Sequence, residues 1–127
     1  MTIAASTAPA MQKVGDATKY FDDHTLTPSY GFTSSTVSST FGFAASSNAV
    51  VNALKNNGSA CGSGSSSNSH CFKGLSTTPF TVVSASVPTA LSGDATDFNF
   101  EAVVGSAKNQ ETGNYQATVT VTAVANS

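Results

Sequence analysis

Arginine and tryptophan are both missing from this chain, and charge of either sign is scarce. Five lysines stand against seven acids, for a formal net charge of −2 over 127 residues. Without arginine there is no bidentate fork for phosphate, and five scattered lysines form no basic stripe, so nucleic acid is not expected as a partner. The lack of tryptophan removes the best platform for stacking on sugars, which leaves the eight Phe and three Tyr to be read mainly as core. No apolar run approaches the roughly 20 residues of a membrane helix, so insertion into a membrane is not expected. The N-terminal MTIAASTAPAMQKV has neither the basic nor the apolar region of a signal peptide, so an exported protein with this sequence is a mature form.

Catalytic motifs are equally thin. Neither phosphate-cradling glycine pattern occurs, there is no G-x-S-x-G elbow, and the two histidines sit in polar surroundings without a visible orienting partner. Asp22-Asp23-His24 is the one cluster of acid and histidine, and neighbours on an extended chain point to alternate faces, so it reads as a solvated turn. Asp94 and Asp97 share a turn, but two carboxylates without a third oxygen-rich segment fall short of a calcium site. Glu101 faces away from Phe98 and Phe100, which removes it as the acid of an internal Lys–Asn isopeptide bond. Asn57-Gly58-Ser59 matches a glycosylation sequon, as chance allows in this composition. The expectation is a non-enzymatic protein with no cofactor and no metal.

What the chain does have is hydroxyl: 37 of its residues are Ser or Thr. A surface kept wet by hydroxyls and amides is usual in secreted β-rich proteins and unusual in cytosolic enzymes. Cys61 and Cys71 enclose GSGSSSNSH. With His70 they would make only three metal ligands, whereas a disulfide across a floppy loop is worth about 2–3 kcal/mol. A disulfide implies an oxidising, extracellular compartment.

Period-two alternation predicts the fold class: mainly β, an immunoglobulin-like antiparallel sandwich of five to seven strands, with residues 1–19 as an arm or first strand and 20–127 as one domain. The last strand, from Asn114 to Asn126, alternates Tyr115, Ala117, Val119, Val121, Ala123 and Ala125 against Thr and Gln, with Val124 as the one break. Residues 97–104 alternate as cleanly, and the two strands are expected to pair through a polar hairpin loop. Phe98, Phe100, Tyr115, Val119 and Val121 are then core residues. Turns are expected at 92–94 and 112–114. Ser46 or Ser47 as cap, Val50, Val51 and Leu54 at helical spacing and Gly58 beyond predict one short helix near 47–57, against a competing strand that ends in an Asn57-Gly58 hairpin turn. Residues 33–45, with Val37, Phe41 and Phe43 on one parity, predict a strand in which Gly42 marks a bulge or close approach.

Phe72-Lys73-Gly74-Leu75-Ser76-Thr77-Thr78-Pro79, then 82–89, and Glu111-Thr112-Gly113-Asn114-Tyr115 into TVTVTAVAN resemble the C-terminal β-modules of secreted surface proteins of Patescibacteria (Saccharibacteria and relatives). More distantly, the ending is similar to the last strand of spore-coat-U-type pilins and of WxL cell-surface domains. This chain lacks the tryptophans of the WxL domains and places its cysteines differently from those pilins. The resemblance implies a non-catalytic, exported sandwich on the cell surface. Two functions compete. The first is a pilin-like fibre or coat subunit that forms a homopolymer, its N-terminal Ile3 and Ala5 supplying a strand to a neighbour. The second is a monomeric adhesion module whose loops 58–71 and 105–113 bind a cell-wall, host-surface or glycan ligand.

Overall fold

The computed structural model describes residues 1–88 and 93–124; Ser92 of the 92–94 turn, and Ala125 and Asn126 of the last strand, lie outside these. The described chain is mainly β. In order, it forms β1 (Thr2–Ala5), β2 (Met11–Lys13), β3 (Asp16–Tyr20), β4 (Asp22–Asp23), β5 (Ser29–Tyr30) and β6 (Thr40–Ser47). After a 3-10 turn (Asn52–Leu54) come β7 (Lys55–Asn56), β8 (Ser65–Ser66), β9 (Cys71–Phe72), β10 (Phe80–Thr81), β11 (Thr96–Val103), β12 (Tyr115–Ala117) and β13 (Val119–Thr122). They assemble as small sheets: β10-β1-β13, β12-β2-β3 and β11-β6-β4, with pairs β5-β9 and β7-β8. All pairings are antiparallel except β4 with β6.

β6 is the strand around which the others are placed. Its first six residues are buried, because one face carries Phe41, Phe43 and Ala45 into the core while the other carries Gly42 and Ala44 against the backbone of neighbours. One edge pairs along its full length with β11, from Thr96↔Ser47 to Val103↔Thr40. The other edge is shared. His24 N–H donates to the Phe41 carbonyl at 2.8 Å, and Phe43 exchanges two backbone hydrogen bonds with Lys73 at 2.9 and 2.8 Å. Such close approach leaves no room for side chains. A Cβ on Gly42 would lie 2.8 Å from the His24 Cβ, and one on Gly74 would lie 1.9 Å from the His24 carbonyl oxygen.

The second construction joins the two ends of the described chain. β1 runs antiparallel to β13 (Thr2↔Thr122 to Ala5↔Val119), and β2 continues along β12 (Met11↔Ala117 to Lys13↔Tyr115). Between them the chain bends at Ser6–Ala10 around the cis Ala8–Pro9 bond, Ala10 turning back into the core, while Ser6 N–H still reaches the Thr118 carbonyl at 3.0 Å. Ile3 and Ala5 from this ribbon meet Phe41, Phe43, Leu54, Leu75 and Val82 in one apolar cluster.

Three expectations are corrected here. Residues 97–104 and 114–126 do not pair: β11 takes β6, and the terminal strands take β1 and β2. Alternation specifies which face is buried and says nothing of the neighbour. The helix near 47–57 is a single 3-10 turn, because Val50 bridges to Val83 and Val51 donates to the Val82 carbonyl, pairings that hold these β-branched residues extended. Of the five expected core residues, Phe98, Tyr115 and Val119 are half-buried against the core, whereas Phe100 and Val121 remain 45% and 44% exposed. Both belong to edge strands, flanked on one side only among the described residues.

Replacing Gly74 with alanine is expected to cost about 3 kcal/mol, since backbone rather than a flexible side chain must give way. Urea denaturation of Gly74→Ala measures this; an unchanged midpoint would mean that the His24 carbonyl does not rest on Gly74.

Candidate functional site

Cys61 and Cys71 form the expected disulfide. Cys71 is buried and β9 pairs with β5, so the bridge ties the exposed Ser/Gly loop to the body of the protein. His70 is engaged by its neighbours. Its Nδ1 lies 2.9 Å from Ser67 Oγ and 3.0 Å from Ser69 Oγ, and its ring packs on Tyr30. Ile3 and Ala5 lie at the centre of their sheet, between β10 and β13. The sequon Asn57 folds back on itself, its Oδ1 accepting from the backbone of Ser59 and Ala60. Asp94 accepts from Asn48 Nδ2 at 2.8 Å. No group of three or more potential metal ligands occurs among the described residues.

Asp22-Asp23-His24 is not a solvated turn. Asp22 and Asp23 form β4, and Asp23 Oδ1 accepts the Ala10 N–H at 3.0 Å, tying the bend after β1 to the neighbouring sheet. Burial pushes the Asp23 carboxyl above its usual range, against the pull of that hydrogen bond. His24 is buried, its ring tilted against that of Phe32 with centroids 5.0 Å apart. Its Nε2 accepts from the Thr33 N–H at 3.4 Å, which assigns the proton of the neutral ring to Nδ1, 3.3 Å from Thr25 Oγ1. Lys73 is buried as well. Its ammonium donates to the Leu26 carbonyl and lies 4.7 Å from the centre of the Phe80 ring, and burial lowers its pKa. Sequence reasoning named His24 only as part of a solvated turn and gave Lys73 no role, so it missed the burial of both. The available signal was the pair of glycines, Gly42 and Gly74, against which they lie.

The clearest concavity built of polar groups is an open cleft of about 820 Å³ between the end of β3 and the loop from 105 to 114. That loop is held from inside. Gly105 sits against the carbonyls of Ser35, Thr36 and Ser38, and the Ala107 N–H donates to Thr36 at 2.7 Å. Buried Ser39 donates to Gln110 Oε1 at 2.7 Å, Gln110 Nε2 donates to the Tyr115 hydroxyl at 2.6 Å, and that hydroxyl donates to the Glu111 carbonyl at 2.9 Å. From outside, Lys13 and Lys19 both pair with the Glu111 carboxylate, which their hydrogen bonds and charge hold below the usual range. The loop named from sequence thus lines a cleft, while the 58–71 loop does not contribute to it.

Comparison with protein-family models, curated proteins and solved structures gives no match for the chain.

The pH dependence of stability follows from His24. Burial is the main cause of its lowered pKa, partly offset by the Thr25 backbone. An unfolded imidazole titrates near about 6.5, so just below that pH the unfolded state binds more protons. Stability is therefore full above this value and is lost as pH falls from it through the folded pKa. Asp23, raised by burial, has the opposite sign at lower pH and is left unaltered. Thermal melts of the native protein and of His24→Gln across this window are expected to show a flatter pH dependence in the variant; parallel curves would refute the assignment.

Proposed function

We propose that this chain is a non-enzymatic structural domain of the bacterial cell surface, an immunoglobulin-like sandwich that assembles with copies of itself by exchanging β1. The likeness of residues 72–127 to secreted surface modules, and of the last strand to that of pilins, supports this reading, as do the disulfide and the hydroxyl-rich, charge-poor composition. An extracellular fibre or coat subunit experiences an oxidising medium, in which such a bridge persists. Its surface also gives up little hydration when packed against a copy, because few full charges have to be buried.

One observation carries the proposal. β1 is the first strand, yet it is paired on both edges, by β10 and β13, and its Ile3 is 1% exposed. An identical strand from a second copy reproduces every one of those hydrogen bonds and the same Ile3 contact, so exchange costs no interaction inside the sheet. The Ser6–Ala10 bend, which makes few ladder bonds, is the hinge at which the strand leaves its own body. Exchange in one direction, copy to copy, leaves an open end at each step and gives a chain rather than a closed dimer.

Ala4 and Thr120 face each other across β1 and β13. In the double variant Ala4→Cys, Thr120→Cys, oxidised after refolding at increasing protein concentration, exchanged strands are trapped as a ladder of covalent oligomers on a non-reducing gel. We expect the ladder to lengthen with concentration and to coincide with filaments by negative-stain microscopy. A bond formed only within single chains at every concentration would overturn strand exchange.

A further inference from the structure

The cleft beside the 105–114 loop has features that strand exchange does not use. Its rim carries the Tyr20 ring, 40% exposed, together with Asp22, Lys108 and Asn109. The side chains of these four make no hydrogen bond or ion pair among the described residues. Glu111, by contrast, is satisfied by Lys13 and Lys19, which leaves one free ammonium and one free carboxylate facing the same space. An anion site collects positive charge, and a cation site collects negative charge. This cleft has neither excess, and offers a cation, a carboxylate, an amide and a phenol to one occupant.

We infer that the cleft binds a neutral oligosaccharide, with a sugar ring lying on Tyr20 and its hydroxyls bridging Asp22, Lys108 and Asn109. Hydroxyl groups donate and accept at once, so a polyhydroxylated ligand matches a mixed rim that a phosphate or a carboxylate would leave half unpaired. The aromatic face supplies the apolar contact that a sugar ring's C–H face requires. The wall is ready-made. The hydrogen-bonded series from Ser39 through Gln110 and Tyr115 fixes residues 110 and 111 before a ligand arrives, so binding does not have to order the loop. Val37 and Ser38 border the cleft from the segment that precedes β6. The site is independent of β1, and a protein that failed to exchange strands would keep it.

Amide chemical-shift mapping of the full chain tests the inference, with chitotetraose, cellotetraose and mannotetraose as probes at millimolar concentration. A Kd on the order of 1 mM or tighter is expected for at least one of them, with shifts at residues 18–22 and 108–112. Tyr20→Ala is expected to weaken binding about tenfold, equivalent to roughly 1.4 kcal/mol. Asn109→Ala, at an exposed loop position, provides a second variant that leaves the sheets intact and is also expected to weaken binding. Absence of shifts with all three probes, shifts confined to other regions, or binding unaffected by both variants would overturn the inference. So would stronger binding of a sulfated oligosaccharide than of any neutral probe, which would identify a cation-driven site instead.

Discussion

Backbone pressed against backbone at β6 is the constraint on which this molecule rests. The strand uses both edges and both faces, and on its small-residue side the chain carrying His24 and the chain carrying Lys73 come within contact of it. Only glycine at 42 and 74 permits that approach. Once the three segments are joined, a histidine and a lysine are carried into the interior, and each is satisfied by nearby chain: Thr33 and Thr25 for His24, the Leu26 carbonyl for Lys73. Their burial is a consequence of a backbone arrangement. The same arrangement sets Phe41 and Phe43 facing Ile3 and Val82, and so fixes the core.

How much of this was legible in the sequence depends on the kind of question. The alternation at 97–104 identified a strand, that at 114–126 predicted one long strand where the described residues form two short ones in different sheets, and the spacing and context of Cys61 and Cys71 identified their bond. Partner choice was not legible. Val119 and Val121 have the same period whether they lie beside Phe98 or beside Ile3, and the long 105–114 connection fits either a hairpin or a crossing between sheets. Val50, Val51 and Leu54 matched a helix by spacing, but the pairing of Val50 and Val51 with the 82–83 segment prevailed over that local preference. Exposure of Phe100 could not be read from parity, because parity gives a direction and not what lies along it.

The candidate site divides in the same way. The 105–113 loop was marked as a binding loop by its polarity and length, which are local properties. Its inner supports, Ser39 and Tyr115, come from segments on either side of it in space, and a hydroxyl among 37 Ser and Thr residues has no distinguishing mark until the fold selects it. Asp22-Asp23-His24 shows the reverse case. It was conspicuous as a cluster, yet two of its members serve the architecture: Asp23 anchors the bend after β1, and His24 fills the space beside Gly42.

The ribbon of β1 and β2 along β12 and β13 has a consequence for the order of events during synthesis. The Ser6 hydroxyl finds its acceptor 112 positions further on, at Thr118, and the ladder on either side of it, from Thr2↔Thr122 to Lys13↔Tyr115, is comparably nonlocal. Such nonlocal closure makes for slow folding. Until residues 115–122 emerge, the opening segment has no antiparallel mate there and Ile3 lacks one wall of its enclosure. A polypeptide so wired gains its shape late, when its first and last described strands meet.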